Sequence, residues 1–446
     1  MGHIVIADPN IRRFRLHHRL RLELLRRGHR VSILCIDRSR FTFWREQVAD
    51  VDLLEPSNRD EYPDAIREIL DGIEPHAERR QARRIATAMH HWFVREQPDL
   101  VLLHEDRSAI STCVKLTAHV TGCRVLWSGE GLLPHTIQID ESGLDADASH
   151  RKWSAKDFRC VTANQALLDA SLADALAGGI PLALPMAPIN MPPLRRRIAD
   201  AICYMISGRL HAAMTAIHRW RLSFTSDDID LGPTPILDWK APFVTVLLQH
   251  ATDPRVVHDA TEPPNARTLV QQAILAADLF GPNTKVLVVL PGLFSENQGI
   301  AHAIASDHGA RVRITTSRNA AIAASAAATV ITINHPSATV ALLAGTPVVN
   351  LGRALYELAG VTTTASLEEL PAAVQRANQS NRPALRRRFL TWLLQHGHCW
   401  CSTTAPNHNG MHGLIRKIES QLDAEPSPSN QPLTYRPGPN WPLTTS

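Results

Sequence analysis

Short apolar runs alternate with amphipathic helical stretches twice over, and that rhythm limits the chain to a small set of α/β folds. Ile4-Val5-Ile6-Ala7 reads as a buried strand and is followed by the turn Asp8-Pro9-Asn10. Leu16, Leu20 and Leu24 then recur four apart, on one face of a helix that Gly28 caps. Val31 to Ile36 is the next apolar run, so strand, helix and strand fit within about 35 residues. Such a βαβ unit requires a parallel sheet. The pattern continues with a helix over Ala82 to Val94 and strands at Leu100 to Leu103 and Val125 to Trp127.

The alternation restarts after residue 240. Strands are predicted at Phe243 to Leu248, Val286 to Leu290, Val312 to Ile314, Val330 to Ile333 and Pro347 to Leu351. Helices are predicted at Ala266 to Leu279, from Ser337 to Leu343, and at Arg386 to Gln395, the last packing back across the junction. Between the halves lie a proline-rich loop (Ile180 to Pro193), a basic helix (Arg197 to Phe224) and the breakers Ser226-Asp227-Asp228 and Gly232-Pro233-Thr234-Pro235. The expected organisation is therefore a first Rossmann-like domain over 1–235, with a helical and proline-rich insertion at 151–235, and a second over 240–384. A helical segment over 385–424 and a disordered tail over 425–446, rich in Pro, Ser and Asn, complete it. Two such halves imply a cleft, and ligands of such sheets sit beyond the carboxyl ends of the strands. No internal repeat of the solenoid or propeller kind is present.

Composition narrows the function classes. With 446 residues, 44% of them hydrophobic, the chain has the apolar content for two packed domains and is not disordered. Basic and acidic residues number 47 and 43, a net charge of +4, and aromatics are 5%. Neither the basic face nor the stacking platform of a nucleic-acid binder is expected. Seven scattered cysteines, an odd number, argue against a disulfide framework and for a reducing compartment. The opening MGHIVIADPN reads as strand and turn, not as a secretory leader. The longest uncharged stretch, Ala175 to Leu194, holds five prolines and makes a poor spanning helix. A soluble cytoplasmic protein is expected.

Four segments carry residues of chemical interest. In Trp127-Ser128-Gly129-Glu130-Gly131 the flanking glycines let the backbone turn sharply at a strand end and expose one carboxylate, with Asp140 not far beyond; the plain alternative is a solvated acidic loop. Gln249-His250-Ala251-Thr252-Asp253 follows the first strand of the second half, where ligands meet polar side chains or an aspartate merely caps a turn. Asn334-His335-Pro336-Ser337-Ala338-Thr339 joins a strand to a helix, so free amides with the Ser337 and Thr339 hydroxyls suit an anion, or simply cap the helix. His396-Gly397-His398-Cys399-Trp400-Cys401 has metal-ligand residue types, with His408 and His412 near, but matches no zinc spacing, and neither a metal nor a cofactor is expected. The Arg195-Arg196-Arg197 cluster is a solvated face or a contact with an anionic membrane surface.

Taken in order, these motifs resemble the bacterial capsule polysaccharide synthesis family, whose members build the Kdo-containing lipid linker of group 2 type capsules. The resemblance runs from residue 1 to about residue 400 through Gly28-His29-Arg30-Val31, Gly129-Glu130-Gly131-Leu132 with Asp140, Gly143 and Ser149, and Gln249 with Asp253. It closes with Thr332-Ile333-Asn334, the block Gly345-Thr346-Pro347-Val348-Val349-Asn350-Leu351-Gly352, and Tyr356. The resemblance implies a GT-B-like fold and transfer of Kdo from CMP-Kdo with retention. It implies Asp253 as nucleophile and Glu130 as acid/base, with Asp140 in reserve. Gln249, Pro291, Asn334, His335, Ser337, Thr339 and Gly352 fall at the implied nucleotide site. A CMP-activated donor, a glycolipid or polysaccharide acceptor, and peripheral contact with the inner membrane and the capsule export machinery are the implied partners.

Two departures stand out. Val289-Leu290-Pro291 occupies the place of the family's His-Pro pair, and Asn334-His335-Pro336, with Val340 downstream, that of its Asn-Ser-Thr and glutamate. They leave three readings: altered donor binding with His335 standing in, a different activated sugar, or a fold kept without the activity. The last makes the chain a non-catalytic partner in capsule assembly. A sugar-nucleotide epimerase or hydrolase is a third class.

Overall fold

The computed structural model describes residues 1–179 and 241–423, apart from 37, 58–60, 63, 72–75, 105–108, 134, 250–252, 262–264, 292–298, 300–302, 305, 381 and 402–407. The proline-rich loop, the basic helix, the breakers before residue 240 and the tail all lie outside the described residues.

Two sheets organise the molecule. The first has seven strands in the order β13-β6-β5-β4-β1-β2-β3. These are β1 His3–Ala7, β2 Arg30–Cys35, β3 Val51–Leu53, β4 Leu100–His104, β5 Arg124–Glu130, β6 Ile137–Asp140 and, from far down the chain, β13 His398–Cys399. The second has six in the order β12-β11-β10-β7-β8-β9, namely β7 Phe243–Leu247, β8 Lys285–Leu290, β9 Val312–Thr316, β10 Thr329–Thr332, β11 Val348–Asn350 and β12 Thr363–Thr364. All pairings are parallel except those of β6 with β5 and with β13. The second sheet and the core of the first are thus Rossmann-like, and the fold is GT-B-like. Each has a point where the strand order reverses, beside β1 in the first and beside β7 in the second.

The apolar runs form strands because both faces of each sheet are covered. Val5 and Ala7 join the core on one face of the first sheet, Ile4 and Ile6 the core on the other. The predicted leucine stripe is buried: Leu16, Leu20 and Leu24 of the Phe14–Arg26 helix pack on the Ile4 side. Gly28 follows that helix with φ 84°, the left-handed value that glycine adopts without strain. The helix predicted over Ala266 to Leu279 ends at Ala277 in a tighter turn, Asp278–Phe280.

The chain crosses between the lobes twice. The Gln165–Asp174 helix packs on the Ala338–Ala344 and Pro383–Trp392 helices of the second lobe. The His408–Asp423 helix returns to the first, placing Met411, Leu414, Ile415 and Ile418 against Leu16, Leu20 and Leu24. Arg124 seals that return by donating to the carbonyls of Gln421 and Leu422 at 2.6 and 2.7 Å. One apolar core is shared by both lobes and joins Leu132, Leu133 and Phe158 to Leu355, Tyr356 and Phe389. Among the described residues no helix is long and apolar enough to cross a membrane.

Candidate functional site

In the first lobe the carboxyl ends of β1, β4 and β5 bring ionisable groups together. Glu130 is the last residue of β5, and its carboxylate pairs with Arg13 at 2.9 Å, the two side chains 25% and 16% exposed. Arg13 is delivered by the Ile11–Arg13 turn that follows β1, where its amide donates to the Asn10 carbonyl. Its second terminal nitrogen is buried without a hydrogen-bond partner. Asp8, at φ 46°, accepts from the Ile36 amide and pairs with Arg40. One turn beyond Arg13, His17 is buried, and burial together with the positive charges of Arg13 and Arg40 lowers its pKa to about 3. His104, at the end of β4, is held well below the usual histidine value, by burial first and then by Arg13. Its Nδ1 lies 3.4 Å from Ser128 Oγ. Since the Ser128 hydroxyl donates to the Leu103 carbonyl, His104 Nδ1–H is the donor to Ser128.

The turn after Glu130 is closed from the far end of the chain. His398 Nε2 accepts the Leu132 amide at 3.0 Å, and its Nδ1 faces the Leu393 carbonyl at 3.2 Å, so Nδ1 carries the proton. Burial is the main cause that drives the His398 pKa down to about 3. A Cβ on Gly131 would lie 2.0 Å from Thr136 Oγ1 and 2.4 Å from His398 Cδ2, so only glycine fits. The His396–Cys401 run is thus structural, and Cys399 and Cys401 are buried thiols. Among the described residues no cluster of His, Cys, Asp and Glu is arranged to hold a metal ion.

Asp140 ends β6, a strand the sequence reading did not foresee. Its carboxylate accepts the amides of Ser142, Gly143 and Ser149 and the Ser149 hydroxyl, and so ties the loop that leads to the second lobe.

The second lobe's carboxyl edge is a hydrogen-bonded frame. Gln249, just beyond β7, and Asn334, just beyond β10, exchange two bonds of 2.9 and 3.2 Å. Asn334 also donates to Asp259 and to the Arg353 carbonyl, both at 3.2 Å. The His335 amide donates to Thr332 Oγ1, His335 Nδ1 accepts the Ser337 amide, and the Tyr356 hydroxyl donates to the His335 carbonyl. Ser337 and Thr339 are wholly buried, and neither hydroxyl has a partner. The amides of Ala338, Thr339 and Val340 donate to the carbonyls of His335, Pro336 and Ser337. The free row of helix N-terminal amides expected there is therefore absent, because the turn closes on itself. Gly352 bridges to Ala260, and a Cβ on it would meet the Asp259 carbonyl at 2.7 Å. Asp253 stands between β7 and the Pro254–Asp259 helix, partly exposed, and Pro291 follows β8, also partly exposed.

Two arginines, neither foreseen from sequence, tie the lobes at these edges. Arg151 grips Glu357 through its carboxylate and its carbonyl, both at 2.7 Å. Arg353 reaches back to Asp147 and the Ala146 carbonyl, both at 2.8 Å. With Leu132 and Leu133 in one core with Leu355 and Tyr356, the end of β5 and the outlet of β11 meet at the seam. Arg13, His17 and His104 also escaped the sequence reading; the available signal was their position just after β1 and β4, beside the strand-order reversal.

Comparison with known proteins adds the following. Residues 237–396 match the family model described as capsule polysaccharide biosynthesis protein. No curated protein matches. Among solved structures, the UDP-GlcNAc 2-epimerase from Neisseria meningitidis bound to UDP-GlcNAc is similar at 11% identity and TM-score 0.34, over 94% of this chain and 100% of that one. The calicheamicin glycosyltransferase CalG4 is similar at 14% identity and TM-score 0.38, over 95% and 98%. The UDP-GlcNAc 2-epimerase from Methanocaldococcus jannaschii is similar at 9% identity and TM-score 0.33, over 88% and 99%. At such scores these likenesses bear on neither activity nor substrate. The family match covers the second lobe with Gln249, Asp253 and Asn334, and stops before β13 and the returning helix.

Proposed function

We propose that the chain is a glycosyltransferase of capsule or surface polysaccharide assembly, moving Kdo or a related sugar from a CMP-activated donor with retention of configuration. One observation carries this reading: Glu130 is the last residue of β5 in one lobe and Asp253 follows β7 in the other, each on the carboxyl side of its sheet. The family match over the lobe that holds Asp253 supports it.

Retention calls for two displacements. The Asp253 carboxylate attacks the anomeric carbon, the bond to the phosphate oxygen breaks, and CMP leaves with the electron pair. The acceptor hydroxyl then attacks the same carbon, Glu130 takes its proton, and Asp253 departs as a carboxylate. Asp140 is the weaker choice for the second role, because four donors already hold its carboxylate in the loop. Gln249, Pro291, Asn334, His335 and Gly352 form the edge assigned to the nucleotide, with Ser337 and Thr339 behind it. A glycolipid or polysaccharide is the acceptor, and contact with the inner membrane and export machinery belongs to the same proposal.

The test is incubation with CMP-Kdo and glycolipid acceptors. Transfer is expected from the native chain and none from Asp253→Ala, while Glu130→Gln accumulates a sugar adduct on the Asp253 peptide, read by mass. Absence of transfer together with absence of CMP binding by calorimetry overturns the proposal.

One observation favours a non-catalytic partner of capsule assembly. Val289-Leu290-Pro291 lacks the histidine that the resemblance calls for, the wholly buried Val340 lies near the place of the glutamate, and the Ser337 and Thr339 hydroxyls are sealed inside. Capsule production that survives Asp253→Ala and fails on deletion of the protein selects this reading.

A further inference from the structure

We propose a second saccharide-binding site, lined by neither Glu130 nor Asp253, in the depression between residues 153–165 and the end of the Pro383–Trp392 helix, that holds a stretch of neutral glycan. The proposal needs neither Glu130 nor Asp253 and goes beyond the reading above.

Trp153 is the one aromatic among the exposed large hydrophobic side chains of the described residues, at 40% exposure. An indole offers a large rigid apolar face with a polar N–H, the kind of ring enriched at contact surfaces. It is braced from behind: its ring centroid lies 4.8 Å from that of Trp392, and Trp392 in turn lies 4.9 Å from His150 and 5.7 Å from Phe158. The two indoles line an open depression of about 780 Å³. That is the size of a small-molecule site.

The rim supplies complementary polar groups. Asn164 uses its side-chain oxygen to cap a helix by accepting the Leu167 amide, which leaves its NH₂ unused. Gln165 uses its NH₂ on Asp169, which leaves its carbonyl. Gln395 and His396 are exposed beside them. Among the described residues neither lysine nor arginine is on the lining, and the lining carboxylate, Asp157, is turned to the Ser154 amide and hydroxyl. A phosphate- or carboxylate-bearing ligand therefore meets no lysine or arginine side chain on that lining. A neutral sugar ring fits, because it presents a C–H face to an indole and hydroxyls that donate and accept to amides.

The full chain is titrated with maltohexaose and chitohexaose, read by tryptophan fluorescence and by the alkylation rate of Cys160, an exposed thiol on the same depression, with peptide mass mapping. Saturable binding is expected with at least one, with Cys160 alkylation slowed several-fold. Trp153→Ala should weaken binding about tenfold or more, and Trp153→Phe should keep most of it. CMP binding should be unchanged in both variants, which separates this result from the fate of the transferase reading. No saturable response to either glycan, or undiminished binding by Trp153→Ala, overturns the proposal.

Discussion

The two sheet edges that meet at the seam are built from opposite materials. The first lobe's edge is ionic: Glu130 with Arg13, Asp8 with Arg40, and His17 and His104 buried uncharged behind them. The second lobe's edge is a mesh of uncharged groups, in which Gln249 and Asn334 bond each other and Thr332, Ser337 and Tyr356 each bond His335. A buried amide mesh fixes a shape, since each lost bond strands its partner in a medium without water. A set of partly exposed charges is more easily rearranged by a ligand. The contrast is between a fixed frame in the second lobe and charge that a ligand can rearrange in the first.

Acid breaks this contrast most strongly. His17 on the Phe14–Arg26 helix, His398 in β13 and His150 at the seam fold with pKa values lowered from 6.5 to about 3, about 3 and about 4. The unfolded chain takes up these protons first, so their contribution is complete above pH 6.5 and is lost as pH falls toward 3. Each contributes up to about 1.4 kcal/mol per pH unit, about 4 for the three. Unfolding monitored by hydrogen exchange from pH 7.5 to 4.5 should open the first lobe before the second. Equal protection in both lobes at pH 5 would dissolve the distinction.

Asn334→Leu attacks the mesh. It removes the bonds to Gln249, to Asp259 and to the Arg353 carbonyl, and about 2–4 kcal/mol should be lost in urea unfolding. A loss under about 1 kcal/mol would mean that the mesh is no frame. Arg13→Gln gives the smallest stability effect, within about 1 kcal/mol, because the pair with Glu130 is partly solvated. The transfer rate should nonetheless fall, with the acceptor KM and kcat measured separately to show it. An unchanged kcat would remove Arg13 from the chemistry.

Much of this architecture was legible in the residues. The apolar runs at Ile4, Leu100, Phe243 and Val330 are strands, and the leucine stripe at 16, 20 and 24 is a buried face, because periodicity reports burial directly. Glu130 at a strand end could be read from its flanking glycines. Arg13 beside Glu130 could not, since their meeting depends on β1, β4 and β5 lying side by side. β13 is two residues long and pairs with a strand more than 250 residues earlier, so no local pattern announces it. Nor does any pattern tell that His398 serves a hydrogen bond to Leu132 and not a metal.

The late return of the chain has a consequence for biosynthesis. Leu16, Leu20 and Leu24 leave the ribosome well before the helix that covers them, His408–Asp423. Until that helix emerges the nascent first lobe carries an uncovered apolar strip and an unfinished sheet margin, the kind of surface that recruits chaperones or neighbouring chains. A fragment cut where the family match ends, at residue 396, would carry that liability permanently.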